Sequence, residues 1–215
     1  MTQSFDDTEF VVRTIAQTAV DNEREFGELD SVVGDGDFGF SLARGFEIVL
    51  ADWDSYDRSD IGTFLQKIAV AITGRIGGTS GPIWGTAFLR AATVAKGKDT
   101  LTGDDVVAML HAAVDGIKAR GNADVGDKTL LDALVPMTDT IESLLATGAS
   151  SDEILAAAAL AARTAADATV TMQAMRGRAA YTGERSIGSP DPGAVAVAVI
   201  LERLAPAWPD RPSAS

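Results

Sequence analysis

An all-α fold of about eight antiparallel amphipathic helices is predicted by three features of the sequence. Apolar residues recur at three- and four-residue spacing along much of the chain, the period of a helix face. Helix-start signals stand directly before several of those runs. Short glycine-rich segments separate them, at residues 34–39, 74–85, 121–126 and 177–193. Together they describe helices joined by tight connections and packed as an antiparallel bundle or barrel.

Taken in order, the segment 34–39 is a glycine-rich turn that leads into a helix. The segment 74–85 contains Gly77-Gly78-Thr79-Ser80-Gly81-Pro82 and precedes a helix beginning near Ile83. Thr102 with Asp105 forms a capping-box pattern, and Val106, Leu110, Val114 and Ile117 make the apolar face that follows. Leu130, Leu134, Met137, Ile141 and Leu144 form the face of the next helix. Ser150 with Glu153 is a second box, opening an alanine-rich helix that runs towards Met175. Asp191-Pro192-Gly193 sets a capping carboxylate and a helix-starting proline before the final apolar run. That run alternates alanine and valine and also reads as a buried strand. Helix is expected because no other segment offers it a sheet partner. No internal repeat or interior linker divides the chain, so residues 1–204 are read as one domain. Residues 205–215, with Pro206, Pro209 and Pro212, are read as a frayed tail.

At 215 residues the chain suits one domain with a substantial core, and 46% hydrophobic with 23% charged residues is a soluble globular composition. The balance of 18 basic against 31 acidic residues gives a net charge of −13. Such a surface repels nucleic acid and anionic membranes, so neither is an expected direct partner. An anionic ligand then needs local help from metals, helix N-termini or a few arginines. The absence of cysteine excludes disulfides and thiolate metal sites. Met1 to Phe10 carries acids where a secretory signal has a basic start, and the longest apolar run, Ile154 to Ala162, is too short for a bilayer. The expected location is the cytoplasm.

The most informative segment is Leu29-Asp30-Ser31-Val32-Val33-Gly34-Asp35-Gly36-Asp37-Phe38-Gly39. Asp30, Asp35 and Asp37 lie close together in it. Three such carboxylates repel one another unless a cation sits among them, and hard oxygen ligands select magnesium, calcium or manganese. Gly34, Gly36 and Gly39 match the dinucleotide fingerprint in letters. Asp35 and Asp37 would then face the pyrophosphate, and the strand–helix alternation of that fold is missing. A calcium loop starting at Asp35 fails as well, because Phe40 replaces its glycine and Phe46 its bidentate glutamate. Two readings remain: metal ions bridging phosphate oxygens, or acids that merely cap a turn and a helix start.

The other loops are less specific alone. The Gly77–Pro82 segment exposes backbone N–H groups and two hydroxyls suited to phosphate, or serves close helix packing. Gly121 to Thr129 is similar to a P-loop, but Asp127 intrudes before Lys128-Thr129 and no strand precedes it, so a helix–helix connection is expected. Arg176, Arg178 and Arg185 form the one arginine cluster, able to neutralise phosphate or to pair with Glu184 and other acids. His111 lies in a helical run away from every glycine loop and is read as structural or simply exposed.

In order, the Asp30 loop, Gly77-Gly78-Thr79-Ser80-Gly81, Gly126-Asp127-Lys128-Thr129 and Gly183-Glu184-Arg185-Ser186-Ile187-Gly188 with Asp191-Pro192-Gly193 resemble the L subunit of dihydroxyacetone kinases. The resemblance runs from about Phe10 to Leu204. It implies a closed helical barrel with a nucleotide, ADP or ATP, at one end. It also implies that Asp30, Asp35 and Asp37 hold two magnesium ions, with nucleotide contacts from Phe38, Gly39, Phe40, Ser41, Thr79, Ser80, Gly121, Leu130, Arg178, Asp191, Pro192 and Gly193. Arg178 is the candidate catalytic residue, neutralising phosphate charge.

The same resemblance implies a kinase subunit that works with a separate K subunit holding dihydroxyacetone or a related small ketose. It further implies either direct use of ATP or rephosphorylation of bound ADP by a phosphotransferase-system phosphocarrier. A homodimer is compatible with it. The family usually has histidine and asparagine where this chain has Phe38 and Ser41, which alters two polar contacts to the nucleotide and leaves the carboxylates intact. A reading of another class is a non-enzymatic, nucleotide-sensing coregulator that binds a transcription factor. A third is the nucleotide domain of a fatty acid kinase, whose further domains this chain lacks.

Overall fold

The computed structural model describes residues 2–211. It is all-helical, with nine α-helices among the described residues. They are α1 (Phe5–Asp21), α2 (Glu23–Ser31), α3 (Phe38–Ala51), α4 (Ile61–Arg75), α5 (Ser80–Val94), α6 (Gly103–Gly121), α7 (Leu131–Ala146), α8 (Ser151–Ala168) and α9 (Pro192–Ala207). Thr2–Gln3 pairs antiparallel with Leu101–Thr102, two residues a side. The final alanine–valine run is helical, as α9.

Capping chemistry sets most helix starts. Thr102 Oγ1 accepts from Asp105 N at 3.1 Å while the Asp105 carboxylate accepts from Thr102 N at 2.9 Å. Ser150 and Glu153 repeat the pattern at 3.3 and 2.9 Å. A third box, Ser4 with Asp7, opens α1. Asp191 accepts from Ala194 N at 2.7 Å, with Pro192 in the first turn of α9, where no N–H partner is needed.

Three boundaries differ from expectation. Helix α5 begins at Ser80, not near Ile83, because Pro82 is tolerated within a first turn. The alanine-rich helix stops at Ala168 and tightens into a 3-10 turn, Thr169–Thr171, instead of reaching Met175. The segment from Ala205 is ordered: α9 continues to Ala207 and a 3-10 turn, Trp208–Asp210, follows. Trp208 is buried edge-on against Phe10, with ring centroids 6.1 Å apart, and Arg211 pairs with Asp7 at 2.5 Å. Burial of one tryptophan outweighs the helix-breaking bias of the nearby prolines. Residues 212–215 of the expected tail lie outside the described residues.

Helix α1 packs on α3, and each helix from α3 to α9 packs on the next. Helix α9 returns to α1, while α2 lies against α3. Phe26, Leu42, Phe46, Phe64, Ile68 and Ile72 are fully buried between them. The stretch 151–171 is long and apolar enough, by length and composition alone, to cross a membrane. Its apolarity is largely alanine, it packs between α7 and α9, and Arg163 on it pairs with Glu202 at 2.7 Å.

Candidate functional site

The connections gather at one place, which contacts between them make plain. Arg178 pairs with Asp35 and, at 3.3 Å, with Asp37, joining the 178–186 segment to the Asp30 loop. A Cβ on Gly77 would lie 3.5 Å from Ser41 Oγ, so the loop before α5 abuts the first turn of α3. Gly121, at the end of α6, faces Ile83 of α5, and Gly193 faces Leu130 at the start of α7. Lys128 reaches Met172, Ser186 and Ser189. The Asp30 loop, the start of α5, the end of α6, the 126–130 turn, the Arg178 segment and the start of α9 thus touch one another in sequence, while His111 pairs with Glu142 at 2.9 Å on the exposed side of α6 and α7.

The carboxylates of Asp30, Asp35 and Asp37 place one oxygen each within 4.8 Å of one another. Local backbone makes that cluster. Asp30 sits in the last turn of α2 and accepts from Phe38 N at 3.3 Å, so it spans the turn between the two helices. Gly36 adopts φ +76°, which a side chain rarely adopts. Gly39 lets α3 press on α2, since a Cβ there would lie 2.0 Å from Glu23 O. Asp37 stands at the N-cap of α3 yet makes no side-chain capping bond. Its carboxylate is not spent on the helix, which argues against a capping role. Three oxygen donors around one point, with the Arg178 guanidinium as the cation among them, fit a hard divalent ion.

Phe38 is half-buried and packs towards Phe26, with centroids 6.1 Å apart, so it belongs to the core side of the turn. Phe40 is exposed beneath the Arg44 guanidinium. Thr79 and Ser80 stand at the N-terminus of α5, and Thr79 makes no capping bond. The N–H groups of Ser80 and Gly81, at the positive end of the α5 dipole, favour an anion, and Pro82 adds none. At the N-cap of α9, burial pushes the Asp191 carboxyl up to about 7, and the neighbouring Asp132 carboxylate adds to the rise. The Ala194 N–H and the Lys128 ammonium work against it. Of the arginine cluster, Arg176 pairs with Asp127 at 2.9 Å and Arg178 alone turns to the aspartates.

Sequence reasoning passed over Lys128 as part of a mis-spaced P-loop. It is buried, and its ammonium donates to the carbonyls of Met172 at 3.0 Å, Ser186 at 2.5 Å and Ser189 at 2.7 Å. Its acceptors lie 44 to 61 residues away, beyond any local pattern.

The chain is 39% identical over 177 residues to the ADP-binding subunit of the PEP-dependent dihydroxyacetone kinase of Escherichia coli K12, covering 82% of this chain and 84% of that one. It is 38% identical over 196 residues to the L-erythrulose 1-kinase of Mycolicibacterium smegmatis, covering 90% of this chain but 34% of that longer protein. Its fold matches the dihydroxyacetone kinase of C. freundii, solved with AMP-PNP and Mg2+, at a TM-score of 0.74 and 27% identity over 96% of this chain and 35% of that one. The DAK2 domain matches residues 32–206, from the end of α2 to the last turn of α9, and the chain belongs to that family, as an L subunit of the dihydroxyacetone kinase type.

Proposed function

We propose that this chain is the nucleotide-binding subunit of a dihydroxyacetone-type kinase, a phosphotransferase active with a separate K subunit. In that reading residues 1–204 form the nucleotide-binding domain, a closed helical barrel working in the cytoplasm. The return of α9 to α1 supports the barrel. The observation that carries the function is the convergence of Asp30, Asp35 and Asp37 on one point opposite Arg178, at the end where the other loops meet.

Asp30, Asp35 and Asp37 would hold two magnesium ions, which when bound supply positive charge between phosphate oxygens. Arg178 is long enough to leave the aspartates and neutralise phosphate charge by bidentate hydrogen bonds. The first turns of α3 and α5, with Gly39, Phe40, Ser41, Thr79 and Ser80, present N–H groups and hydroxyls to the phosphates. Gly121, Leu130 and the Asp191-Pro192-Gly193 turn form the wall for the nucleoside. Phe38 contributes ring packing in place of a polar contact. The chain then positions a phosphoryl donor, and the acceptor, dihydroxyacetone or a related small ketose, is held on the K subunit. The E. coli relative's name, an ADP-binding subunit of a PEP-dependent kinase, favours bound ADP recharged by a phosphocarrier over exchange for ATP.

Purification without added nucleotide, denaturation, and chromatography of what is released tests this reading. Stoichiometric ADP with magnesium is the expected result, and Asp35→Ala with Asp37→Ala should abolish it. An empty protein that binds magnesium-ATP by calorimetry would shift the reading to an ATP-exchanging kinase. A protein that binds no nucleotide even with magnesium would refute it.

A further inference from the structure

Lys128 stands on a strained backbone in a buried position, where a charged side chain is costly unless fully paired. Its φ is +60°, a conformation uncommon for any residue but glycine, asparagine or aspartate. All three ammonium protons are satisfied by main-chain carbonyls, which cost no further charge in the interior. Those carbonyls, of Met172, Ser186 and Ser189, lie at the two ends of one segment, residues 172–189. Between them the chain loops out as the 3-10 segment Arg178–Ser186 that carries Arg178.

The residue before Lys128 holds the same segment. Asp127 O accepts from Met175 N at 3.0 Å, and Asp127 Oδ2 accepts from Arg176 Nε at 2.9 Å. Within the segment Ser186 Oγ accepts from Ala174 N at 2.8 Å and donates to Gly183 O at 2.6 Å. The Asp127-Lys128 pair therefore closes the base of the segment, and Arg178, two residues beyond Arg176, pairs with Asp35 and Asp37.

We infer that Lys128 is a positioning residue that acts on the nucleotide phosphates through Arg178, by clamping both ends of the 172–189 segment. This rests on the nucleotide-binding reading of the site. Lys128 touches none of the three aspartates, so its removal should spare magnesium binding and loosen the hold on phosphate.

The test is a double-mutant cycle on magnesium-ADP affinity, by calorimetry, with Lys128→Met, Arg178→Ala and the pair. If the lysine acts through the arginine, each single change weakens ADP by about tenfold or more, and the pair is no weaker than Arg178→Ala alone. Losses that multiply in the pair, or a Lys128→Met protein that binds as the wild type does, overturn the inference. Hydrogen exchange supplies a readout without nucleotide: Lys128→Met should expose amides of 172–189 selectively and leave 30–41 protected as before. Uniform loss of protection, or none, overturns it too. A wild-type protein that binds no ADP refutes the function proposed above, and the exchange comparison still decides the clamp. Should Lys128→Met fail to fold, Lys128→Gln, which keeps an N–H donor, enters the same cycle.

Discussion

Gly39 shows how narrow the tolerances are at single residues of the segment that carries the three aspartates. A Cβ there would fall 2.0 Å from Glu23 O and 2.5 Å from Gly27 N, both backbone atoms that cannot turn aside. Gly39→Ala must therefore drive α3 from α2 and pull Asp37 away from Asp30. The expected cost is about 1–3 kcal/mol of stability, with weakened magnesium binding, read by denaturant midpoint and metal titration. Gly77→Ala is the control: its Cβ would meet Ser41 Oγ at 3.5 Å, ordinary contact, so stability should hold. The aspartates were legible in the sequence because three acids crowd one turn. The contact that makes Gly39 necessary was not, since the pressing atoms come from another helix. Lys128 was illegible for the same reason, its partners being distant carbonyls.

At the scale of the element, helix starts marked by a capping box were legible, whereas the uncapped start of α5 and the helix ends were not. A capping box is a local pattern of two residues, so Thr102 and Ser150 announced α6 and α8. The stop at Ala168 has no such marker; there Thr169, buried, donates to Ala166 O and accepts from Asp191 N, a tertiary anchor. Asp191 itself joins element to solution conditions. Its carboxyl titrates near 7 in the folded chain, against 3.8 as the ordinary value, because burial and Asp132 disfavour the charge. Between those pH values the folded state holds a proton that the unfolded state has released. Its stabilising contribution is therefore fully present at acid pH and is lost as pH rises towards 7. Asp191→Asn keeps an N-cap acceptor and removes the charge. Denaturant midpoints should fall from pH 5 to pH 7.5 more steeply in the wild type than in the variant. Parallel profiles would mean that the carboxyl is already charged at pH 5.

Across the whole molecule, the helices surround an apolar cavity of about 340 Å³ that touches α1 and every helix from α4 to α9. Ala113, Met137, Ile141, Val197 and Leu201 line it. The helix count, about eight against nine among the described residues, was nearly right from the sequence, because each amphipathic face implies one helix. The space the faces enclose was not legible, since a volume depends on how seven helices splay. The consequence is a division of labour: stability is set in the interior, and chemistry by loops gathered at one end. Packing can then be changed without touching the site. Ala113→Leu should fill part of the cavity and stabilise by about 1 kcal/mol. Met137→Ala should enlarge it and destabilise by about 2–5 kcal/mol. Both should leave magnesium-ADP affinity unchanged, because neither residue belongs to a loop of the site. A fall in affinity with either change would show that the interior and the loops move together, and that the helices transmit their packing to the end where the loops gather.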